Sequence, residues 1–224
     1  MDQAGPQKIY PDSIQVPLTY CVDTGDKPVN ETMEAGNLDR KYTGVFDDHV
    51  MTVQNGRPKK AKFSLDTHGF EFIEDQTKVE NFFDPNELAA VYYPEVEKIV
   101  QRVSGASRVV IFDHTIRSGN RANREERRLR EPVHRVHNDY TEWSGPQRVR
   151  DILPDEADHL LQHRFAVIPV WRPISIPIES DPLAICEAET LSPDDLIASE
   201  RRYPDRVGET YQISYNPGHK WYYF

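Results

Sequence analysis

The feature that most constrains this chain is the succession of short β-type runs in its second half. "FAVIPVWRPIS", "PLAICEAET" and "ETYQISYNPGHKWYYF" are rich in β-branched and aromatic residues and are cut apart by Pro, Gly, Asn and Asp. No regular alternation with helices accompanies them, as a doubly wound parallel sheet would require. The pattern predicts an antiparallel sandwich or barrel, its last run folding as two strands across the Asn-Pro-Gly turn. Earlier in the chain "SRVVIFDHTIR" reads as a further strand, and "KAKFSLDTHGFEFIED" as an edge hairpin bent at Gly69.

Helices flank this core. In "FDPNELAAVYYPEVEKIVQRVSGAS" Asp84 is placed to cap a helix, Pro85 takes its first position, Pro94 interrupts it and Gly105 ends it. "SGPQRVRDILPDEADHLLQHR" reads as a helix broken at Pro154, and "SPDDLIASER" as a short capped helix. The segment "RSGNRANREERRLREPVHR" crowds arginines with Glu125, Glu126 and Glu131, the pattern of a solvated connector whose charges pair locally. Residues 1–60 look irregular, an arm around the one alternating run "IQVPLTYCV". With 224 residues, enough for one full core, the expectation is a single domain over 1–224: an arm over 1–60, flanking strands and helices over 61–130, and a β-rich core over 131–224.

Charge and cysteine content narrow the function. Against 27 Lys and Arg stand 37 Asp and Glu, a net charge of −10 that repels polyphosphate, so nucleic acid is not an expected partner. The two cysteines, Cys21 and Cys186, are too few for a disulfide framework. No apolar run reaches the length of a membrane span, and "MDQAGPQKIY" lacks the basic start and apolar stretch of a signal peptide. A cytoplasmic protein that meets no membrane is expected.

The chemistry concentrates in "EPVHRVHNDYTEWSG". On a strand, side chains two apart share a face, so His137 and Asp139 point together and His134 points away. An imidazole nitrogen and a carboxylate oxygen so placed reach one ion. A second histidine from elsewhere would complete the two-His-one-carboxylate triad of Fe(II) oxygenases. The same tripeptide also suits a surface strand with a plain His-Asp hydrogen bond. A dyad that activates a nucleophile lacks the accompanying glycine pattern or cysteine setting.

Other residues carry weaker signals. His159 and His163 share a helix face at ligand spacing but lack a metalloprotease glutamate, and His114 reads as a hydrogen-bonded strand residue. Arg172, in an apolar run beside Trp171, needs a buried partner: a carboxylate of a co-substrate or substrate, or an internal salt bridge. Trp143, Trp171 and Tyr211 are candidate walls of a substrate site, and ordinary core packing accounts for each equally well.

Taken together, "RVVIFDHTIR", "VHNDYT…SGPQRVRDILP", "RFAVIPVWRPI" and "YPDRVGETYQISYNPGHKWYYF" resemble the hydroxylase/desaturase family of fungal secondary-metabolite clusters, over nearly the whole chain. The family is related to the small chain of the cephamycin 7α-methoxylation system. The resemblance implies a double-stranded β-helix (jelly roll) that holds Fe(II) and uses 2-oxoglutarate to hydroxylate or desaturate a small molecule. His137 and Asp139 fall on the family's metal pair, and Arg172 is the candidate co-substrate residue. Family members continue past the "WYYF" stretch into strands bearing a second metal histidine and a later arginine, whereas this sequence ends at Phe224. The expectation is a jelly roll lacking its C-terminal strands, with an open edge beside "HKWYYF" through which a homodimer or partner chain would form. His219 is then the one histidine after "VWRPI" left to serve as third ligand. A non-catalytic subunit that binds a partner enzyme or metabolite is the alternative.

Overall fold

The computed structural model describes residues 10–32, 40–175, 178, 181–204 and 206–224. The chain is mainly β with flanking helices, as expected, and its nine strands among the described residues form two mixed sheets. Sheet A runs β1 (Ser13–Cys21), β4 (Phe46–Asn55), β9 (Trp221–Tyr223), β6 (Ala184–Cys186). Sheet B runs β3 (Arg40–Tyr42), β2 (Val29–Thr32), β7 (Leu196–Arg202), β8 (Val207–Ile213), β5 (His137–Asn138). Two pairings, β4 with β9 and β2 with β7, are parallel, so the expectation of a purely antiparallel architecture gives way to mixed sheets.

The first sixty residues are not an irregular arm. β1 and β4 are the two longest strands and pair antiparallel from Ser13 opposite Gln54 to Cys21 opposite Phe46. Ile14, Val16, Leu18 and Tyr20 alternate inward along β1, and Pro17 is tolerated because β1 is an edge strand. The parts of the arm over 1–9 and 33–39 lie outside the described residues.

The main core lies where the sheets meet. Tyr20, Met51, Val53 and Trp221 from sheet A pack with Ile213 from sheet B, and Val136, Leu196 and Tyr211 close around them. Tyr222, on the other face of β9, packs with Phe63 and Phe70 in a second cluster that Phe224 borders. Both faces of β9 are thus covered, which is why it reads as an unbroken aromatic run. It has β4 on one side and β6 on the other, so the open edge expected beside "HKWYYF" is not found; the edges of sheet A are β1 and β6. The Asn-Pro-Gly turn likewise joins no hairpin, since β8 and β9 belong to different sheets.

Several β-type segments form no strand. "KAKFSLDTHGF" makes a 3-10 turn (Arg57–Lys62) and a one-turn helix (Leu65–His68) that Gly69 ends at φ 79°. Residues 108–116 and 165–175 contain no strand either, and Val110, Phe112, Phe165, Val170, Trp171 and Ile174 are exposed. β-propensity expresses fit to a pleated, half-buried surface; among the described residues no strand lies alongside to supply one. "SPDDLIASER" begins with the expected Ser192 cap, but the helix is a single 3-10 turn, Pro193–Asp195, after which the chain enters β7.

Local signals fare better. Asp84 accepts a hydrogen bond from the Asn86 N–H, Pro85 opens the helix, a π-helical turn follows over Leu88–Tyr92, and Tyr93–Ser104 ends at Gly105 with φ 69°. The helix Ser144–Ile152 stops before Pro154. In the connector, Asn120 caps the helix Arg121–Arg127, and Arg121 pairs with Glu125 one turn on.

Candidate functional site

His137 is placed by its neighbours rather than by a long strand. The Val136 N–H donates to the Thr19 carbonyl of β1, the Ile213 N–H donates to the Val136 carbonyl, and the Val136 side chain enters the main core. This residue therefore pins both sheets. The next two, His137 and Asn138, pair with Gln212 and Tyr211 of β8. Arg135, just before, stacks its guanidinium 3.7 Å above the ring of Tyr42.

The turn that follows is fixed from below. Thr141 is buried, and its hydroxyl donates to Glu209 at 2.6 Å, while Lys27 holds the other Glu209 oxygen at 2.6 Å. Thr141 and Ser144 exchange backbone-to-hydroxyl hydrogen bonds of 2.8 and 3.1 Å, starting the helix Ser144–Ile152. Asp139 is thus held between a strand and a capped turn. Sequence reasoning missed Thr141, Glu209 and Lys27, because no spacing links residues 27, 141 and 209 before the sheets form.

His137 Nε2 and Asp139 Oδ1 converge at 3.4 Å, with the imidazole 30% and the carboxylate 61% exposed. His137 Nδ1 lies 2.8 Å from the Arg135 carbonyl, to which it donates. That bond fixes the ring and leaves Nε2 as the nitrogen open to an ion. The hydrogen bond to Asp139 raises the His137 pKa against the opposing effect of burial. The reciprocal bond from His137 holds the Asp139 carboxyl below its ordinary range, with Arg201 and Arg117 adding to the effect. One nitrogen and one carboxylate oxygen, adjacent and ring-locked, are a donor set that Fe(II) accepts. Without an ion, the same pair is a His-Asp hydrogen bond.

The other candidates are dispersed. His134 points elsewhere, with Nδ1 3.9 Å from Asp181. Arg172 is not in a strand: it donates to the Asp75 carbonyl at 3.1 Å and lies 3.6 Å from the Asp75 carboxylate, the internal salt bridge foreseen as one of its two partners. Trp143, on the turn after Asp139, is 54% exposed, and Trp171 is 48% exposed. Tyr211 stands opposite Asn138 and packs in the main core, so it faces the side of sheet B away from His137. His219 is a core residue, its side chain fully buried between Asp195 and Tyr20. His114 is exposed and bonds the Tyr93 hydroxyl, and His159 packs on His163 at the surface.

A family profile described as an oxidoreductase/YMDC permease-like domain matches residues 18–224. The chain is 34% identical over 161 residues to oxidoreductase AN1597 of Emericella nidulans, covering 69% of this chain and 54% of that protein. It is 30% identical over 242 residues to the hydroxylase/desaturase CTB9 of Cercospora beticola, covering 97% of this chain and 72% of the relative. Among solved structures, the iron and alpha-ketoglutarate-dependent endoperoxidase NvfI superposes with a TM-score of 0.84 at 25% identity, covering 95% of this chain and 79% of that one. The chain thus spans about half the length of the first of these relatives and about four fifths of the solved structure.

Proposed function

Since the chain belongs to the oxidoreductase family that includes the fungal hydroxylase/desaturases, we propose that it is an Fe(II)- and 2-oxoglutarate-dependent oxygenase that hydroxylates or desaturates a small molecule of secondary metabolism. The observation that carries this reading is the convergence of His137 Nε2 and Asp139 Oδ1 at 3.4 Å, with the ring locked by the Arg135 carbonyl. The names of relatives support it, among them the iron and alpha-ketoglutarate-dependent NvfI. In this reading the two sheets are the body of a double-stranded β-helix, and residues 1–224 form one oxygenase domain.

His137 and Asp139 would hold the iron. Iron bound with 2-oxoglutarate and dioxygen supplies an oxidant able to take hydrogen from an unactivated C–H bond. The chain's own residues contribute placement. Val136 anchors His137 to the core, Thr141 and Glu209 brace the turn beyond Asp139, and the Arg135 carbonyl holds the Nδ1 proton so that Nε2 meets the ion. Trp143, exposed on that turn, is the aromatic we assign to the substrate side. Arg172 is engaged by Asp75, and this reading gives it no part in holding the iron.

The test is succinate formation from 2-oxoglutarate with added Fe(II) and ascorbate. Turnover that disappears in His137→Ala and in Asp139→Ala is expected. Equal succinate formation by the parent and both variants would refute the assignment.

A further inference from the structure

Tyr20 is the largest fully buried side chain among the described residues, and its hydroxyl joins a row of polar groups inside the main core. The Trp221 indole N–H donates to it at 2.9 Å, and His219 Nδ1 lies 3.3 Å from it. Across the imidazole, His219 Nε2 lies 3.1 Å from Asp195 Oδ2. Asp195 also accepts from the Ser192 N–H at 2.7 Å and the Asn216 amide at 3.2 Å. Burial raises its carboxyl, but these bonds and the one from His219 bring it below its ordinary range, so it is a carboxylate at neutral pH. An ionised Asp195 keeps the imidazole proton on Nε2, which leaves the Nδ1 lone pair facing the Tyr20 O–H. A phenol, a base and a carboxylate therefore stand in line, with the acceptor for the phenol's proton already in contact.

Tyr20 and His219 are enclosed, so no substrate meets this row. An electron can. The Tyr20 ring is edge-on to Trp221, with centres 6.4 Å apart, and to Tyr215, with centres 5.5 Å apart. Tyr215 is exposed and stacks on His49 at 3.6 Å. Oxidisable rings thus run without a break from the interior to solvent. The inner end leads to the candidate iron pair, because the Val136 N–H donates to the Thr19 carbonyl at 2.9 Å. His137 follows Val136 and Tyr20 follows Thr19, so a single hydrogen bond links the two backbones, and the Val136 side chain packs against the cluster that holds Tyr20. Burial raises the Tyr20 phenol to about 12, so at neutral pH it carries its proton. A charge left on that buried ring would be costly, and loss of an electron is eased only if the proton leaves with it.

We propose that Tyr20 is a redox residue, which discharges an oxidant left unused at the metal pair and is refilled from the surface through Tyr215. The inference rests on the iron reading above for its oxidant, a one-electron acceptor generated when 2-oxoglutarate and dioxygen are consumed with no substrate present. The electron passes to that oxidant. The Tyr20 O–H bond breaks and an N–H bond forms at His219 Nδ1, leaving a neutral phenoxyl radical beside an imidazolium that Asp195 neutralises. Tyr215 then returns an electron to Tyr20, which takes its proton back from His219. Tyr215 loses its own proton to water and is restored by a one-electron donor in solution such as ascorbate.

The test has two arms on the full chain. In the first, the metal-free protein is photo-oxidised with a ruthenium polypyridyl sensitiser and an irreversible electron acceptor, and radicals are read by visible absorption and electron paramagnetic resonance. A phenoxyl signal is expected that Tyr20→Phe removes and that falls severalfold in His219→Gln, where the side chain can hydrogen-bond but cannot take the proton. Tyr215→Phe, a change at the surface, should lower the same signal severalfold and decides the matter if Tyr20→Phe does not fold. A signal indifferent to these substitutions overturns the relay. In the second arm, Fe(II), 2-oxoglutarate and dioxygen are supplied without substrate, and succinate is counted until the protein inactivates. Tyr20→Phe and Tyr215→Phe should complete severalfold fewer turnovers than the parent. Equal endurance overturns the discharge role and leaves the iron reading standing. If the parent forms no succinate, the iron reading falls and the discharge role with it.

Discussion

His219 Nε2 lies 3.1 Å from Asp195 Oδ2 in the protein interior, and its Nδ1 lies 3.3 Å from the Tyr20 hydroxyl, so both ring nitrogens are engaged within the core. Burial pushes the Asp195 carboxyl upward, but hydrogen bonds from the Ser192 N–H, His219 and Asn216 hold it below its ordinary range. This histidine ties the turn before β7 to the end of β1 and is not available to an ion near β5. His219→Ala should cost about 2–4 kcal/mol of stability by leaving Asp195 and Tyr20 short of a partner, and should leave metal affinity unchanged. Chemical denaturation and Mn(II) titration of the same variant check both halves.

Thr141 gives the complementary case, a residue that acts on the site through Asp139. Thr141→Val removes the 2.6 Å bond to Glu209 and the bond from the Ser144 N–H, while the Thr141 N–H keeps its bond to the Ser144 hydroxyl. Burial raises the Glu209 carboxyl, while Lys27 and Thr141 draw it down, so the variant leaves that carboxylate with less support. A stability loss of about 1–2 kcal/mol and a severalfold weaker Mn(II) affinity are expected. Full metal affinity in a destabilised variant would show that the turn does not position Asp139.

Alkaline pH should unfold the protein through its core phenols. Burial raises Tyr20 to about 12, and burial together with Glu187 raises Tyr222 to about 12. In the unfolded chain tyrosine ionises near pH 10. Stability is therefore fully present below about pH 10 and declines as pH rises toward 12, each unit of displacement corresponding to about 1.4 kcal/mol. Tyr20→Phe should be less stable at neutral pH, where it loses the bond from Trp221, yet show a shallower alkaline decline. Denaturation midpoints across pH 7 to 12 measure both slopes.

Gly69 is required by its backbone. Its φ of 79° is left-handed, and a Cβ there would approach the Ala188 Cβ to 2.9 Å. Gly69→Ala should cost about 1–3 kcal/mol, measured by thermal or chemical melting, without altering metal binding.

What could be read in the sequence was local. The Asp84 cap, Pro85, the Gly105 stop and the break at Pro154 depend on residues within a few positions, and the structure has each of them. His137 and Asp139 converge as their two-residue spacing anticipates, although the strand itself ends at Asn138 and Asp139 sits in the bend beyond it. Long-range pairing was not legible: between β1 and β4 the chain visits the other sheet as β2 and β3, so "IQVPLTYCV" reads as a lone run in an arm. Residues 108–116 and 165–175 have strand composition, yet a ladder needs a neighbour that composition does not specify. The partner of Arg172 illustrates the same limit, since Asp75 is 97 residues away.

The central claim is that His137 and Asp139 hold an iron that 2-oxoglutarate completes. Its most direct test is anaerobic visible absorption of the chain with Fe(II) and 2-oxoglutarate, because chelation of Fe(II) by a 2-oxo acid gives a charge-transfer band without turnover. The account predicts a band in the parent and in His219→Ala, and none in His137→Ala or Asp139→Ala. A band that persists in both of the latter, or one that His219→Ala alone abolishes, would contradict it.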